Sequence, residues 1–445
     1  MILYLEILTL ELLKTEEMKY DRISKELFIR NRALFTAKMK PKSLAVFCSN
    51  DIMPTSADGT MPFRQDSDML WMSGVDQEES RLVVFPDASE AKHKEILFLK
   101  ETSELIAVWE GAKLTKEEAF AVSGVKTVYW IDQFETVFEQ LMKEANTVYL
   151  NSNEHARATI NVETRTARFN NWCQKKYNER HYEKAAPLMH ELRAIKHPLE
   201  IDLLQRACDI TEKGFRRVLN FVKPGVMEYE IEAEYMHEFL RNRSKGFAYE
   251  PIIASGLNAC VLHYIDNNQE CKDGDIILMD VGAEYANYAS DMTRCVPVSG
   301  RFTDRQKEVY NAVLRVMKAA TEMLRPATVL AEYHKEVGLI MQSELVRLGL
   351  IKQHEINKQD PKNPIYKKYF MHGTSHYLGL DVHDVGLWEK PMEKGMVFTC
   401  EPGIYIREEN LGIRLENDIL VTDDKPFDLM QSIPLEAEEI ESLMN

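Results

Sequence analysis

Apolar and polar positions alternate in two different ways along the chain. Residues 18 to about 40, MKYDRISKELFIRNRALFTAKM, carry the spacing of an amphipathic helix rich in Lys and Arg. The short runs SLAVFCSN, SRLVVFPD and EILFLK are β-rich and bounded by turn residues, and helical stretches follow at 115–123 and 133–145. Alternating strands and helices over 18–185 predict a compact α/β domain. HYEKAAPLMH, at 181–190, reads as a linker.

Beyond the linker the elements lengthen. HPLEIDLLQRACDITEKGFRRVLNFV predicts a long helix with Pro198 in its first turn, and a second helix follows Pro224-Gly225. Strand-like runs come next: PIIASG, DIILMDVG and NYASDMTRCVPVSG. A third helix opens on Thr303-Asp304, and a fourth ends at Gly349. MVFTCEPGIYI and GIRLENDILVT return to strands. The order helix, helix, strands, given twice, is a mild internal two-fold. It favours a largely antiparallel sheet backed by helices.

The first residues, MILYLEILTLELL, place Leu3, Ile7, Leu10 and Leu13 on one helical stripe. Glu6 and Glu11 break the apolar run, and no basic segment precedes it, so residues 1–17 are expected to be an amphipathic extension rather than a signal peptide. With no apolar run of about 18 residues anywhere, no membrane span is expected.

Charge narrows the partners. With 71 acidic and 55 basic residues the net charge is −16, which argues against nucleic acid or an anionic membrane. The seven cysteines, at 48, 173, 208, 260, 271, 295 and 400, form no CxxC pair, and a reducing, cytoplasmic setting is expected.

The unusual acids and histidines fall in the strand clusters of the second half. Asp280 ends an apolar run, and Asp291 follows just before Thr293 and Arg294. FMHGTSHYLGLDVHDVG supplies His372, His376 and His383; FTCEPGIYI supplies Glu401; GIRLENDILV supplies Glu416; LHY supplies His263. HGTSH lacks the Glu of the helical zinc motif, and its Gly and Ser argue against a helix. Asp280, Asp291, Glu401 and Glu416 interrupt apolar strands, where an unpaired charge is costly to bury. Cations remove that cost. Four carboxylates with one imidazole suit manganese, cobalt or iron better than a structural zinc site. Their number exceeds the need of one ion and points to two.

These motifs, with DVGAEYANYASDMTR, MHGTSHYLGLDVHDVG, TCEPGIYI and GIRLENDI in that order over about residues 190–440, resemble aminopeptidase P, one of the pita-bread dinuclear metallopeptidases. SADGTMPFRQDSDMLWMSG and VWEGAKL extend the resemblance into the first half. The resemblance implies an N-terminal domain over 18–185 and a pita-bread catalytic domain over 186–445. It implies two divalent ions per chain, Mn²⁺ by preference. Asp280 would bind one ion, Asp291 and Glu416 would bridge both, and His376 and Glu401 would complete the second. His263 and His383 would steady the substrate and the developing oxyanion. Asp58 and Trp109 would approach the active site of a neighbouring subunit, implying a homodimer or homotetramer. Arg414 is a further candidate for substrate binding, and His372 and Tyr405 are candidates for the pocket wall. For Trp109, core packing is the competing reading.

The activity implied is release of the N-terminal residue from peptides with proline in second position, by attack of a metal-bridging hydroxide. Glu401 would pass the water proton to the leaving nitrogen. Prolidase, which shares fold and ligands but cleaves only dipeptides, is the nearest alternative. A non-catalytic pita-bread interaction protein is the other. An arginine that the family places shortly before the Glu401 strand has no counterpart in GLWEKPMEKGMVFTCE.

Overall fold

A computed structural model describes residues 20–445. The stripe expected over residues 1–17 lies outside the described residues. The described residues divide into two compact units, one built from Arg22–Arg193 and the other from Ala194–Asn445 with Tyr20 and Asp21.

The first unit holds α1 (Lys25–Lys38), β1 (Ser43–Cys48), the hairpin β2 (Pro54–Ser56) and β3 (Gly59–Thr60), and α2 (Ser67–Ser73). Then come β4 (Arg81–Val84), β5 (Glu95–Leu99), α3 (Glu104–Glu110), α4 (Lys116–Ser123), β6 (Thr127–Trp130) and α5 (Phe134–Glu144). β7 (Thr147–Leu150), α6 (Arg165–Lys176), β8 (His181–Lys184) and α7 (Ala186–Ala194) complete it. Six strands form one mixed sheet in the order β6-β5-β4-β1-β7-β8. Successive residues of β1 bury opposite faces. Leu44, Val46 and Cys48 join Phe134, Phe138, Leu141, Phe169 and Cys173 in one core. On the other face Phe47 meets Phe35 of α1 edge-on, ring centres 5.3 Å apart.

Two expectations change here. The helix expected from residue 18 begins only at Lys25, after Ser24 in extended backbone. Residues 181–190 are not a linker: β8 pairs in parallel with β7, and α7 follows directly.

In the second unit, α8 (Pro198–Leu219) and α9 (Glu228–Arg241) precede β9 (Ile252–Ser255), β10 (Ile276–Val281), the short β11 (Glu284–Tyr285) and β12 (Tyr288–Ala289), and β13 (Met292–Pro297). α10 (Asp304–Thr321) and α11 (Leu330–Arg347) precede β14 (Val397–Cys400), β15 (Gly403–Ile406), β16 (Leu411–Arg414), β17 (Asn417–Leu420) and β18 (Phe427–Asp428). The helix starts follow their sequence signals: Pro198 opens α8, and the Thr303 side chain caps α10. Every strand pair of this unit is antiparallel. The ladders are β13-β10-β9, β14-β17-β18 and β15-β16, with a bond from Glu416 N–H to the Thr293 carbonyl (3.1 Å) between them. The expected α/β first half and antiparallel, helix-backed second half are both present.

Candidate metal centre

Asp280 and Asp291 come together because β10 and β13 are antiparallel neighbours, with Asp280 opposite Thr293. The chain between them folds back through β11 and β12, where Ala286 and Asn287 take positive φ (53° and 68°) and close a tight hairpin. Gly282 makes the approach possible. A Cβ there would lie 1.8 Å from the Ser290 carbonyl oxygen.

Glu401 and Glu416 do not sit inside strands, as the apolar alternation suggests. Each occupies a break, Glu401 between β14 and β15 and Glu416 between β16 and β17. At Glu401 the break follows from Pro402, which has no N–H to give a ladder. At Glu416, Arg294 fixes the backbone. Its guanidinium, fully buried, donates to the Glu416 carbonyl (2.7 Å), the Pro434 carbonyl (2.8 Å) and Asn417 Oδ1 (2.7 Å).

His376 lies in an extended, non-helical segment held against β14: Thr399 N–H donates to the His376 carbonyl (3.0 Å), and Leu378 N–H to that of Val397 (3.1 Å). Its Nδ1 is 3.0 Å from the Tyr377 carbonyl, which can only accept, so Nδ1 carries the proton. That leaves the Nε2 lone pair facing Asp291 Oδ2 (3.4 Å) and Glu401 Oε1 (3.7 Å).

Ligand atoms of Asp291, His376 and Glu416 lie within 4.8 Å of one another, all three residues buried. Asp280 and Glu401 flank them. The Tyr249 hydroxyl is 2.6 Å from both Asp280 Oδ1 and Asp291 Oδ1. Thr293 Oγ1 donates to Glu416 Oε2 (2.6 Å).

The electrostatics are those of crowded anions. Burial, then the neighbouring carboxylates, pushes Asp291 and Glu416 well above the ordinary carboxylate range. Burial also raises Glu401, to about 7, against the pull of His376 and Arg414. A buried carboxylate cluster beside an unprotonated imidazole nitrogen is unfavourable alone and matches a divalent cation. The donor set, oxygen-rich and without thiolate, fits hard divalent ions.

Arg414 is only 3% exposed. Its Nη2 donates to Asp280 Oδ2 (2.5 Å), its Nε to Thr293 Oγ1 (3.0 Å) and its Nη1 to the Tyr405 hydroxyl (2.9 Å). Tyr405 is buried as well, and its hydroxyl meets His372 Nε2 at 2.8 Å. His372 Nδ1 donates to the Gly373 carbonyl (2.8 Å), so Nε2 accepts from Tyr405. Burial first, and then Arg414, depresses the His372 imidazolium to about 3, so the ring is neutral at physiological pH. A directed chain therefore runs from Asp280 through Arg414 and Tyr405 to His372.

The His383 ring stands edge-on to His376, centres 4.3 Å apart. Beside it, Asp384 is fully enclosed and pairs with the equally buried Lys196 (2.9 Å). His263 is solvent-exposed and close enough to His372 to disfavour its protonation. Asp58 and Trp109 belong to the other unit. Asp58 is exposed in the turn between β2 and β3. Trp109 is 81% exposed on α3, a helix with no buried residue, so the core-packing reading of Trp109 does not hold.

Tyr249, Thr293 and Lys196 were not singled out from sequence. Thr293 had a positional signal, two residues beyond Asp291 and so on the same face of its strand. A single Tyr in FAYEP and a single Lys in RAIKHP carry none.

Comparison with known proteins agrees with this geometry. Residues 202–423 match metallopeptidase family M24, and residues 28–149 match the aminopeptidase P N-terminal domain. The Xaa-Pro aminopeptidase of Escherichia coli is 35% identical over 442 residues, covering 95% of this chain and 98% of the relative. Xaa-Pro aminopeptidase 3 of Homo sapiens is 32% identical, covering 89% and 80%. Among solved structures, a zinc-substituted E. coli aminopeptidase P in complex with product superposes with TM-score 0.84 at 35% identity, covering 95% and 99%. An aminopeptidase P structure from Bacillus anthracis gives 0.88 at 32%, covering 95% and 98%. Both halves of the sequence resemblance are thereby met, and the chain belongs to metallopeptidase family M24, within the aminopeptidase P enzymes.

Proposed function

We propose that the chain is an Xaa-Pro aminopeptidase, a metal-dependent exopeptidase that removes the residue preceding an N-terminal proline bond. The observation that carries this reading is the convergence of Asp291, Glu416 and the His376 Nε2 side within 4.8 Å, flanked by Asp280 and Glu401. These five residues would hold two divalent ions: Asp291 and Glu416 shared, Asp280 toward one side, His376 and Glu401 toward the other. When bound, such ions supply Lewis acidity and bring the pKa of water toward neutrality. Their mostly carboxylate ligands favour manganese over zinc.

The chain's own residues do the rest. Glu401, at the partly open side of the cluster, accepts a proton from the attacking water and passes it to the prolyl nitrogen. His383, edge-on to His376, donates to the oxyanion that forms on the scissile carbonyl. His263, exposed and close to His372, steadies the substrate. The Asp280 carboxylate anchors the free amine. Arg414 holds Asp280 and Tyr405 in place, and His372 with Tyr405 forms a wall against which the proline ring lies. An Xaa-Pro bond is a tertiary amide, so this wall need offer no acceptor for a scissile N–H.

The first unit supports the peptidase over the dipeptidase reading, since residues 28–149 match the aminopeptidase P N-terminal domain. That match and the one over 202–423 fall inside the proposed domains 18–185 and 186–445. Exposed Asp58 and Trp109 support contact with a neighbouring copy's active site, in a homodimer or homotetramer. Seven buried, unpaired cysteines, with no helix among the described residues long and apolar enough to cross a membrane, support a cytoplasmic setting. Cleavage of Xaa-Pro, Xaa-Pro-Pro and Xaa-Ala-Pro peptides tests the reading. Release of Xaa from Xaa-Pro-Pro but not Xaa-Ala-Pro is expected. Cleavage of the dipeptide alone would make the enzyme a prolidase.

A further inference from the structure

His383 stands in solvent on a stretch, residues 378–390, that forms neither helix nor strand. Its ring is nonetheless set edge-on to that of His376, centres 4.3 Å apart. The next residue supplies a reason. Asp384 donates its backbone N–H to the Tyr377 carbonyl (2.9 Å), the same oxygen that accepts from His376 Nδ1 (3.0 Å). One carbonyl therefore ties the His383 segment to the His376 ring.

The Asp384 side chain is tied as well. Its Oδ2 accepts from Lys196 Nζ (2.9 Å), and both side chains are only 1% exposed. Lys196 stands one residue before His197, the cap of α8, and its own backbone N–H donates to the Gly395 carbonyl (2.8 Å). Gly379 leaves the room that the pair fills: a Cβ there would lie 2.1 Å from Asp384 Oδ2 and 3.0 Å from Lys196 Cε. A second buried acid, Glu200, is close enough to feel both charges, and its oxygens accept from the His197 N–H (2.8 Å) and the Tyr288 hydroxyl (2.9 Å). Enclosing an ammonium and a carboxylate stabilises a fold little more than an apolar pair of the same volume, because both groups lose their hydration. What the pair adds is direction. A reacting side chain must be held to within about 0.5 Å, and on an irregular, exposed segment only the bonds of its neighbours can hold it.

We infer, building on the oxyanion role of His383 proposed above, that Lys196 and Asp384 are positioning residues for His383. Their buried ion pair, anchored at the start of α8, sets where that imidazole stands beside the metal centre. Neither residue is a ligand of the proposed centre. Loss of the pair therefore lowers turnover and leaves substrate affinity and metal in place.

A double-mutant cycle on the manganese-loaded, full-length chain tests this. Its readouts are kcat and KM on an Xaa-Pro-Pro peptide, with metal content and melting temperature alongside. Lys196→Met combined with Asp384→Asn removes both charges together and leaves neither unpaired. The paired variant should keep its metal, hold KM within about twofold and lose kcat at least about tenfold. In a His383→Ala background the same two changes should move kcat by less than about twofold, because residues that act through one imidazole do not add. Gly379→Ala keeps both charges and drives a methyl against Asp384 Oδ2. It should give the same loss, again only where His383 is present, and it reports even where the paired variant fails to fold. Losses that multiply with that of His383→Ala would overturn the inference and leave the aminopeptidase reading standing. So would metal loss in the paired variant, which would route the effect through His376, or wild-type kcat in the paired variant and in Gly379→Ala. Wild-type kcat in His383→Ala would instead remove His383 from the proposed mechanism, and this inference with it.

Discussion

Gly282→Ala should disable the centre without touching a ligand. The added Cβ would stand 1.8 Å from the Ser290 carbonyl oxygen, 2.6 Å from its carbonyl carbon and 3.2 Å from the Tyr249 ring. Real Cβ contacts essentially never fall under 3.0 Å, so the two backbones must part by about 1.2 Å. Those backbones carry Asp280 and Asp291, and Tyr249 is the hydroxyl that meets both. Overpacking of this kind costs about 1–3 kcal/mol of stability. A misplacement of about 1 Å at a catalytic constellation costs about 100-fold in turnover. Bound metal by mass spectrometry, melting temperature by calorimetry and kcat on an Xaa-Pro-Pro peptide measure the three consequences separately. Gly274→Ala is the control, because its φ of +86° strains an alanine while nothing lies within 4 Å of the new Cβ. It should lose roughly 1–2 kcal/mol and keep its metal and its kcat. A Gly282→Ala enzyme with wild-type metal content and wild-type kcat would refute the claim that strand proximity sets the ligand geometry.

Three further outcomes follow from the site. His383→Ala should keep its metal and lose turnover on the order of 100-fold, whereas His376→Ala should lose metal as well; equal metal content in both would merge their roles. Trp109→Ala should shift stability by no more than about 0.5 kcal/mol, since the side chain is 81% exposed, and should raise KM for longer peptides; a large fall in melting temperature would contradict its placement. In the chelated protein, Glu401 binds a proton in the folded state up to about pH 7 but in the unfolded state only up to about its ordinary 4.5. The folded state therefore holds more protons between those values, and metal-free stability falls as pH rises through that window. The gap in melting temperature between metal-loaded and metal-free protein should widen from pH 5 to pH 8, as the buried Glu401 carboxyl ionises. A gap independent of pH would show that burial does not hold the Glu401 carboxyl above its ordinary range.

Long periodic elements were legible in the sequence and short contextual ones were not. α8, α10 and α11 announced themselves by an opening Pro198, a Thr303 cap and a closing Gly349. β7 has four buried residues and no alternation, so nothing local separates it from a buried helical turn. β8, His181–Lys184, looked like a linker because it is an edge strand whose residues are partly or fully exposed, and polar composition is how edges avoid further pairing. The carboxylates of the site were legible as charges in apolar runs, but their placement was not. Glu401 and Glu416 lie where strands break, which frees their side chains to turn toward Asp291. The Tyr249 and Arg414 contacts arise only when β9, β10 and β16 are brought side by side, and no spacing in the chain encodes that. Trp109 shows the opposite limit: hydrophobic character alone suggested the core, and the fold leaves it in solvent.

The central claim is that Asp280, Asp291, His376, Glu401 and Glu416 form a centre for two divalent ions on which proline-specific cleavage depends. Its most direct test is the rate of Xaa-Pro-Pro hydrolysis by chelated protein as manganese is returned in measured equivalents. The rate should start at background and rise to a plateau at two equivalents per chain, and the Glu416→Ala protein should stay at background throughout. Full hydrolysis by the metal-free chain, before any manganese is added, would contradict the account.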